Sequence, residues 1–431
     1  MVLHKYVILQ PMNLVFKFLL VIFLTQVSHG LSQVTFNEFN RSSDPSKKLL
    51  LAHELWEYYL KNNSDSLKQL AIVTHEFGEE KKSESLKHFA KRILGCYLVR
   101  NGDYVNGDKE LRLALNYHRK IGDLANLTEE FNELGISNFL KGDYNSAMSF
   151  FLLSLKIGKD SPDETHPFLA ELNLAKTYDK LDLKEKAKAI AKNYLEECKK
   201  LNKMESVASA YGFLSDLALN EKKIDLAEEY LNKSLRASKS MNNNPLLAQI
   251  QSNFGAFYAT KGDFEKAKNH FNKALDLRKK SNHRKGILES YYNLGSVEYM
   301  DNKYDKAENF YLQGLVLAKE YNLFTDQIDF LEVLVEIHKE KKNKDKEIEF
   351  YKQYIDVKSK QAEFLLKNKE EQENLISYFQ EEKMHSEIIQ SNQSKFWSGF
   401  LLGVSCLLIL FLVIRFLKPK FLSTEKQNYD D

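Results

Sequence analysis

From Phe254 to Leu277 the apolar and small residues recur at helical spacing: Phe254, Gly255 and Tyr258, then Phe264, Ala267, Phe271, Ala274 and Leu275. This pattern predicts two amphipathic helices joined by a tight turn. Gly262 supplies the positive φ that ends the first helix, and Asp263 is placed to cap the free N–H groups of the second. Ala267 marks where the two backbones approach most closely.

The same pattern returns every forty residues. Ala307, Ala227, Ala187 and Ala147, then Gly107, hold the place of Ala267. The turn recurs at Gly102, Gly142 and Gly262, with Asn302 as a substitute able to enter the left-handed region. The first helix repeats a pair at Leu94-Gly95, Leu134-Gly135, Leu174-Ala175, Phe254-Gly255 and Leu294-Gly295. The second repeats Leu111, Phe151, Leu231, Phe271 and Tyr311, each with a leucine four residues on.

These residues resemble the tetratricopeptide repeat (TPR), whose leucine-glycine, aromatic and alanine-aromatic-alanine signature they match. The resemblance implies an all-α fold, an α-solenoid of helix-turn-helix repeats, over about Phe89 to Lys360. The period exceeds the family's usual one, so longer helices or a longer inter-repeat loop are expected. Seven repeats are predicted within 88–360, with first helices starting near Phe89, Glu129, Leu169, Ser209, Gln249, Glu289 and Asp329. The segment 44–87, opened by Asp44-Pro45 and carrying Trp56, Tyr58 and Tyr59, reads as a degenerate capping pair. Glu347 replaces the alanine of the last repeat, which should pack more loosely. Gly122-Asp123, the segment from Gly158 to Pro167, Asn242 to Pro245, and Gly286 are read as stops between repeats.

The flanks differ in pattern. Residues 1–30 carry Lys5 and Lys17 before an apolar run from Phe18 to Leu24 and end in Ser28-His29-Gly30, the form of a secretory signal, with an uncleaved anchor as the rival reading. Residues 31–43 are polar and loose. From 361 to 395 the chain is charged and Gln-rich, suiting either a short coiled coil or a solvated stalk. Phe396 to Ile414 is uncharged and long enough to span a bilayer, within a predicted transmembrane helix over 396–417. Arg415, Lys418 and Lys420 follow it, which by the positive-inside bias puts the 418–431 tail in the cytoplasm and the repeats outside, in a periplasmic or other extracytoplasmic space. Gly399 and Gly403 form a small-xxx-small pair that would let two spans pack as a homodimer, although glycine is common in membrane helices anyway.

Composition narrows the functional classes. A formal net charge of +2 lacks the basic footprint of a nucleic-acid binder. Three cysteines, Cys96, Cys198 and Cys406, share no metal-site spacing. Eleven histidines include no zinc-protease pair, and no phosphate loop, nucleophile elbow or kinase signature occurs, so no enzyme, cofactor or metal is expected.

The resemblance implies binding instead, with inward first-helix side chains lining a groove for peptides or protein partners. An asparagine before the leucine-glycine pair often contacts the ligand backbone in that family, and Asn173, Asn253 and Asn293 stand there. Such a carboxamide can equally bond a neighbouring helix. Arg92, Lys176, Tyr292 and Tyr299 are further candidate groove residues, beside Cys96, Asp216 and Ser296. The order of parts resembles the sensor half of bacterial membrane-anchored regulators, without their output domain. Two readings follow, a signal-input protein and a passive envelope scaffold.

Overall fold

The computed structural model describes residues 35–366 except 63, 160–166, 240 and 242, together with 369 and 373–377. The chain divides into a unit ending at Lys367 and a second unit from Asn368 onward. Of the second, only 369 and the helical stretch 373–377 are described.

The first unit is built from helical hairpins. A short helix α1 (35–41) precedes α2 (Pro45–Asn62) and α3 (Ser64–Glu80). Then come α4 (Glu84–Arg100) with α5 (Tyr104–Ile121), α6 (Leu124–Lys141) with α7 (Tyr144–Gly158), and α8 (Pro167–Lys180) with α9 (Lys184–Lys200). The array continues with α10 (Met204–Asn220) and α11 (Ile224–Ala237), α12 (Asn244–Thr260) and α13 (Phe264–Lys280), and α14 (Arg284–Met300) and α15 (Tyr304–Glu320). It closes with α16 (Phe324–Glu340) and α17 (344–366). The described residues are helices and turns throughout.

The forty-residue period comes from longer helices, not longer loops. In the α12–α13 repeat each helix has 17 residues, and Lys261 to Asp263 and Ser281 to His283 are the only connections. Every one of these turns is alike. A residue with positive φ stands at twenty-residue steps: Lys82, Gly102, Gly122, Gly142, Asp182, Asn202, Lys222, Gly262, Asn282, Asn302, Asn322 and Lys342. The next residue's N–H reaches back to a carbonyl five residues earlier, as Asp263 does to Tyr258 at 2.9 Å and Lys223 to Ala218 at 2.8 Å. This is the Schellman closure, which satisfies carbonyls that the helix end would otherwise leave unpaired. Asp103, Asp123, Asp143 and Asp263 then cap the following helix, accepting from the backbone N–H three residues on.

The turns, not the leucine-glycine pairs, fix where helices begin. First helices therefore start at Glu84, Leu124, Pro167, Met204, Asn244, Arg284 and Phe324, mostly about five residues before the expected points. Gly286, expected to stop a helix, lies inside α14, where a Cβ would come within 2.4 Å of the His283 ring and 2.9 Å of the Arg278 stem.

Packing between partners follows the expected small-to-large logic. Ala147, Ala187, Ala227, Ala267 and Ala307 are all fully buried. At Gly135, Gly255 and Gly295 a Cβ would collide with the rings of Phe151, Phe271 and Tyr311 at 2.5–2.6 Å. The last helix, lacking the alanine, leaves Ile348, Tyr351 and Ile355 about half exposed.

The single-pass membrane placement is corrected. Among the described residues no helix is long and apolar enough to cross a membrane. They are amphipathic instead, as in α13, which buries Ala267, Phe271, Ala274 and Leu275 while its lysines face out. The extracytoplasmic location deduced from a span is withdrawn with it. Phe396 to Ile414, Gly399 and Gly403, like residues 1–30, lie outside the described residues.

A lysine held in the left-handed region pays roughly 1–2 kcal/mol that glycine avoids. Lys222 has φ 59° and an exposed side chain. Lys222→Gly should therefore stabilise the protein by about 1 kcal/mol, and Gly262→Ala should cost a similar amount. Thermal melts of the two variants check this, and a lowered midpoint for Lys222→Gly would contradict it.

Candidate functional site

The first helix of each repeat from α6 to α16 faces an internal channel, a cavity of about 880 Å³. Leu60, near the end of α2, also lines it, as does Tyr144 at the start of α7. The lining obeys the repeat. Ser209, Gln249, Glu289 and Asp329 share one position and all face the cavity, as do Glu205, Pro245, Lys285 and Thr325 at another.

Carboxylates outnumber cations here. Asp179, Glu205, Asp216, Glu289, Asp326 and Asp329 line the channel with Lys176, Lys180 and Lys285. Lys285 is already paired, 2.6 Å from Asp326. Glu289 meets Arg278 at 3.0 Å, and Glu205 accepts from the Asn243 amide at 2.6 Å. Asp216 makes no ion pair within 4 Å among the described residues. Burial, reinforced by the negative Glu289, pushes its carboxyl from an ordinary 3.8 up to about 8. Lys176 offsets only part of this, and burial lowers the pKa of that amine. Burial, with Arg278 nearby, brings His283 down to about 4, so it stands neutral. Lys176 and His283 keep accessible surface although protein surrounds them, because that surface opens onto the channel.

The candidates from sequence are placed differently from one another. Lys176 and Tyr292 line the channel, and the Tyr292 ring packs against Tyr311 and Phe330 at 5.7 and 5.9 Å. Asn173 donates to the Asn132 side chain at 3.0 Å. Asn253 is buried, donates to the Gly212 carbonyl at 3.0 Å and accepts from Gln249 at 2.7 Å, bonding to the preceding repeat. Asn293, half-buried, makes no side-chain hydrogen bond among the described residues. Arg92 is fully buried away from the channel, bonded to Glu129, Glu130 and Asn126, with Glu130 also 2.6 Å from His118. Tyr299 packs on Tyr304 at 5.4 Å and does not line the cavity.

Asp179, His283, Lys285, Glu289 and Asp329 were not singled out in sequence. For Lys285, Glu289 and Asp329 the signal was the forty-residue step that links them to Glu205, Ser209 and Gln249.

A solenoid of helical hairpins around a charged channel defines a binding scaffold as a class. Residues 206–280 and 246–320 match the profile of the tetratricopeptide repeat family. A search of curated proteins returns no match. Among solved structures, the chain is similar to a Rap protein complexed with Competence and Sporulation Factor, at 16% identity and TM-score 0.56, covering 78% of this chain and 99% of that one. It is similar also to the Rap conjugation gene regulator of plasmid pLS20 in complex with the Phr* peptide, at 13% identity and TM-score 0.56 over 78% and 96% of the chains. NprR in complex with its cognate peptide NprX is a third, at 18% identity and TM-score 0.50 over 68% and 86%. Residues 206–320 are thus tetratricopeptide repeats, and the chain resembles these Rap and NprR structures in fold.

Two predictions follow from this geometry. Because the folded Asp216 holds its proton to about pH 8 and an unfolded aspartate only to about 4, its contribution to stability is full below the lower value and is lost as pH rises through the upper. Asp216→Asn should therefore gain stability over the wild type between pH 5 and 9, levelling above 8. Denaturation midpoints at a series of pH values would show it, and a pH-independent difference would refute it. Asn253→Ala removes two buried hydrogen bonds, to the Gly212 carbonyl and from Gln249, and should cost about 1–3 kcal/mol, whereas Asn293→Ala should leave the stability within about 0.5 kcal/mol of wild type, both read from denaturation midpoints.

Proposed function

We propose that the channel binds a peptide or extended protein segment carrying a cationic group, and that the protein acts as a regulatory component through that binding rather than through catalysis. The observation that carries this reading is the buried Asp216 carboxyl among the channel's other carboxylates, with no cation at bonding distance, so that it keeps its proton at neutral pH. An ammonium or guanidinium entering beside Asp216 would displace that proton and pair with the carboxylate in a partly desolvated space, where charge-assisted bonds are strongest. Phe213, Tyr144 and Tyr292 offer apolar surface along the same walls. The carboxamides of Asn173 and Asn253 are engaged within the array and Asn293 does not line the channel, so the carboxylates and aromatic rings are the groups that would hold the ligand. The similar NprR structure and the Rap conjugation gene regulator of pLS20 are complexes with peptides, which supports a peptide as the occupant.

The test is enrichment of a random hexapeptide pool on the immobilised full chain, followed by anisotropy titration of the retained peptides. Peptides with lysine, arginine or a free amino terminus should be enriched. Asp216→Asn with Glu289→Gln should weaken them at least ten-fold, the loss of one to two charge-assisted bonds of about 1.5–3 kcal/mol each. Enrichment indifferent to charge, or affinities untouched by the double substitution, would overturn the proposal.

A further inference from the structure

The array curves far enough for early and late repeats to touch. The Gly142 turn between α6 and α7 meets the start of α16 and Gln361 of α17, whose amide donates to the Lys141 carbonyl at 3.2 Å and to the Thr325 hydroxyl at 3.1 Å. One turn earlier, Gly102 lies so close to the α15–α16 connection that a Cβ would sit 2.2 Å from the Tyr321 carbonyl oxygen. Gly122 and Gly262, which have the same left-handed backbone, have nothing within 4 Å of that position. Gly102 thus has a reason beyond its turn: two backbones more than two hundred residues apart in sequence meet there.

This meeting differs in kind from the joints between successive repeats. Those bury rings and leucines in continuous cores, as around Ala267, Phe271 and Leu294. Here the junction holds backbone against backbone, one glutamine amide, the side chain of Leu323 and the buried Tyr104 near Asp326, without a continuous apolar core. A few neutral hydrogen bonds contribute little net stability, since water replaces them when they part. The junction also borders the channel directly, with Leu140 and Tyr144 on one side and Thr325 and Asp326 on the other.

We propose that this junction is a releasable seam: the turns at Gly102 and Gly142 part from Tyr321, Thr325 and Gln361 and meet them again, opening and shutting the side of the channel. The purpose, admission of a ligand, rests on reading the channel as a binding site; the seam itself does not. Flexing would be shared among the repeats between its two sides, each shifting slightly against its neighbour, as solenoids allow.

Hydrogen exchange of the full chain without ligand separates the two questions. Gly102→Ala should wedge the seam, and Gln361→Ala should unfasten it. Exchange should rise on the order of ten-fold on the side opposite each substitution, at 320–324 for the first and at 139–144 for the second. Gly122→Ala bears the same left-handed penalty without the collision and should leave both segments unchanged. If Gly102→Ala does not fold, Gln361→Ala carries the test. Matching exchange patterns for Gly102→Ala and Gly122→Ala, or a response to Gln361→Ala confined to its own helix, would overturn the seam whatever peptides bind.

Discussion

The structure depends on one backbone constraint, a left-handed residue at every twentieth position. At most of the described turns it ends a helix of 17 or 18 residues and sends the chain back through two or three residues, so that most hairpins share a length and offset. Glycine and asparagine meet this demand at eight of the described turns, but Lys82, Asp182, Lys222 and Lys342 meet it at a conformational cost. The Schellman bonds and the packed helices on either side hold these residues in place, so local preference yields to the repeat. Regular hairpin length in turn keeps first helices on the inner wall, which is why polar residues forty apart converge on one channel.

Identical hairpins could stack in any order, and a set of ion pairs distinguishes them. The residue four places into a second helix pairs with the one closing the next repeat's first helix. Asp108 meets Lys141 at 2.8 Å, Lys188 meets Glu221 at 2.7 Å, and Glu308 meets Lys341 at 2.8 Å. Lys268 faces Asp301 more distantly, at 4.0 Å. The sign differs between joints, negative on the second helix at Asp108 and Glu308 and positive at Lys188 and Lys268, so a shifted repeat would set like charges together, as Lys268 against Lys341. Lys141 is nearly inaccessible, and separating a buried pair costs far more than an exposed one contributes. Stability is spread through neighbour interfaces, while these pairs specify which neighbour.

Much of this was legible in the sequence because alanine, glycine and aromatic residues record close packing directly. Ala267 and its equivalents gave the period, and the rings over Gly135, Gly255 and Gly295 explain the leucine-glycine pairs. The starts of first helices were displaced because the leucine-glycine pair lies well inside the helix and does not mark its beginning, which follows the turn at Lys82, Gly122, Asn202, Asn282 or Asn322. Gly286 misled for the converse reason, being small to accommodate Arg278 rather than to end a helix. The asparagines could be placed near the inner wall, but whether a carboxamide serves a ligand or the preceding repeat depends on distances to Asn132 and Gly212 that only the fold supplies. The correction of the membrane placement concerns a different kind of inference, since an apolar run indicates length and hydropathy without an observed helix.

The channel and its seam follow from the same curvature. A solenoid that stayed open would give its inner carboxylates free access to bulk water and their ordinary acidity. Here the array bends until α16 and α17 reach the α6–α7 turn, so protein surrounds Asp216, and the charge of Glu289 acts on it through a partly desolvated space. Closure thus makes the electrostatics of the site, and the polar junction at Gln361 helps to maintain it. Any motion that opens the channel at Gln361 would rehydrate Asp216 and Glu289, lower the cost of their charges and reduce their hold on a cation. Access and affinity are therefore opposed at this junction, and a cationic ligand that rebalances the channel's charge favours the closed arrangement that retains it.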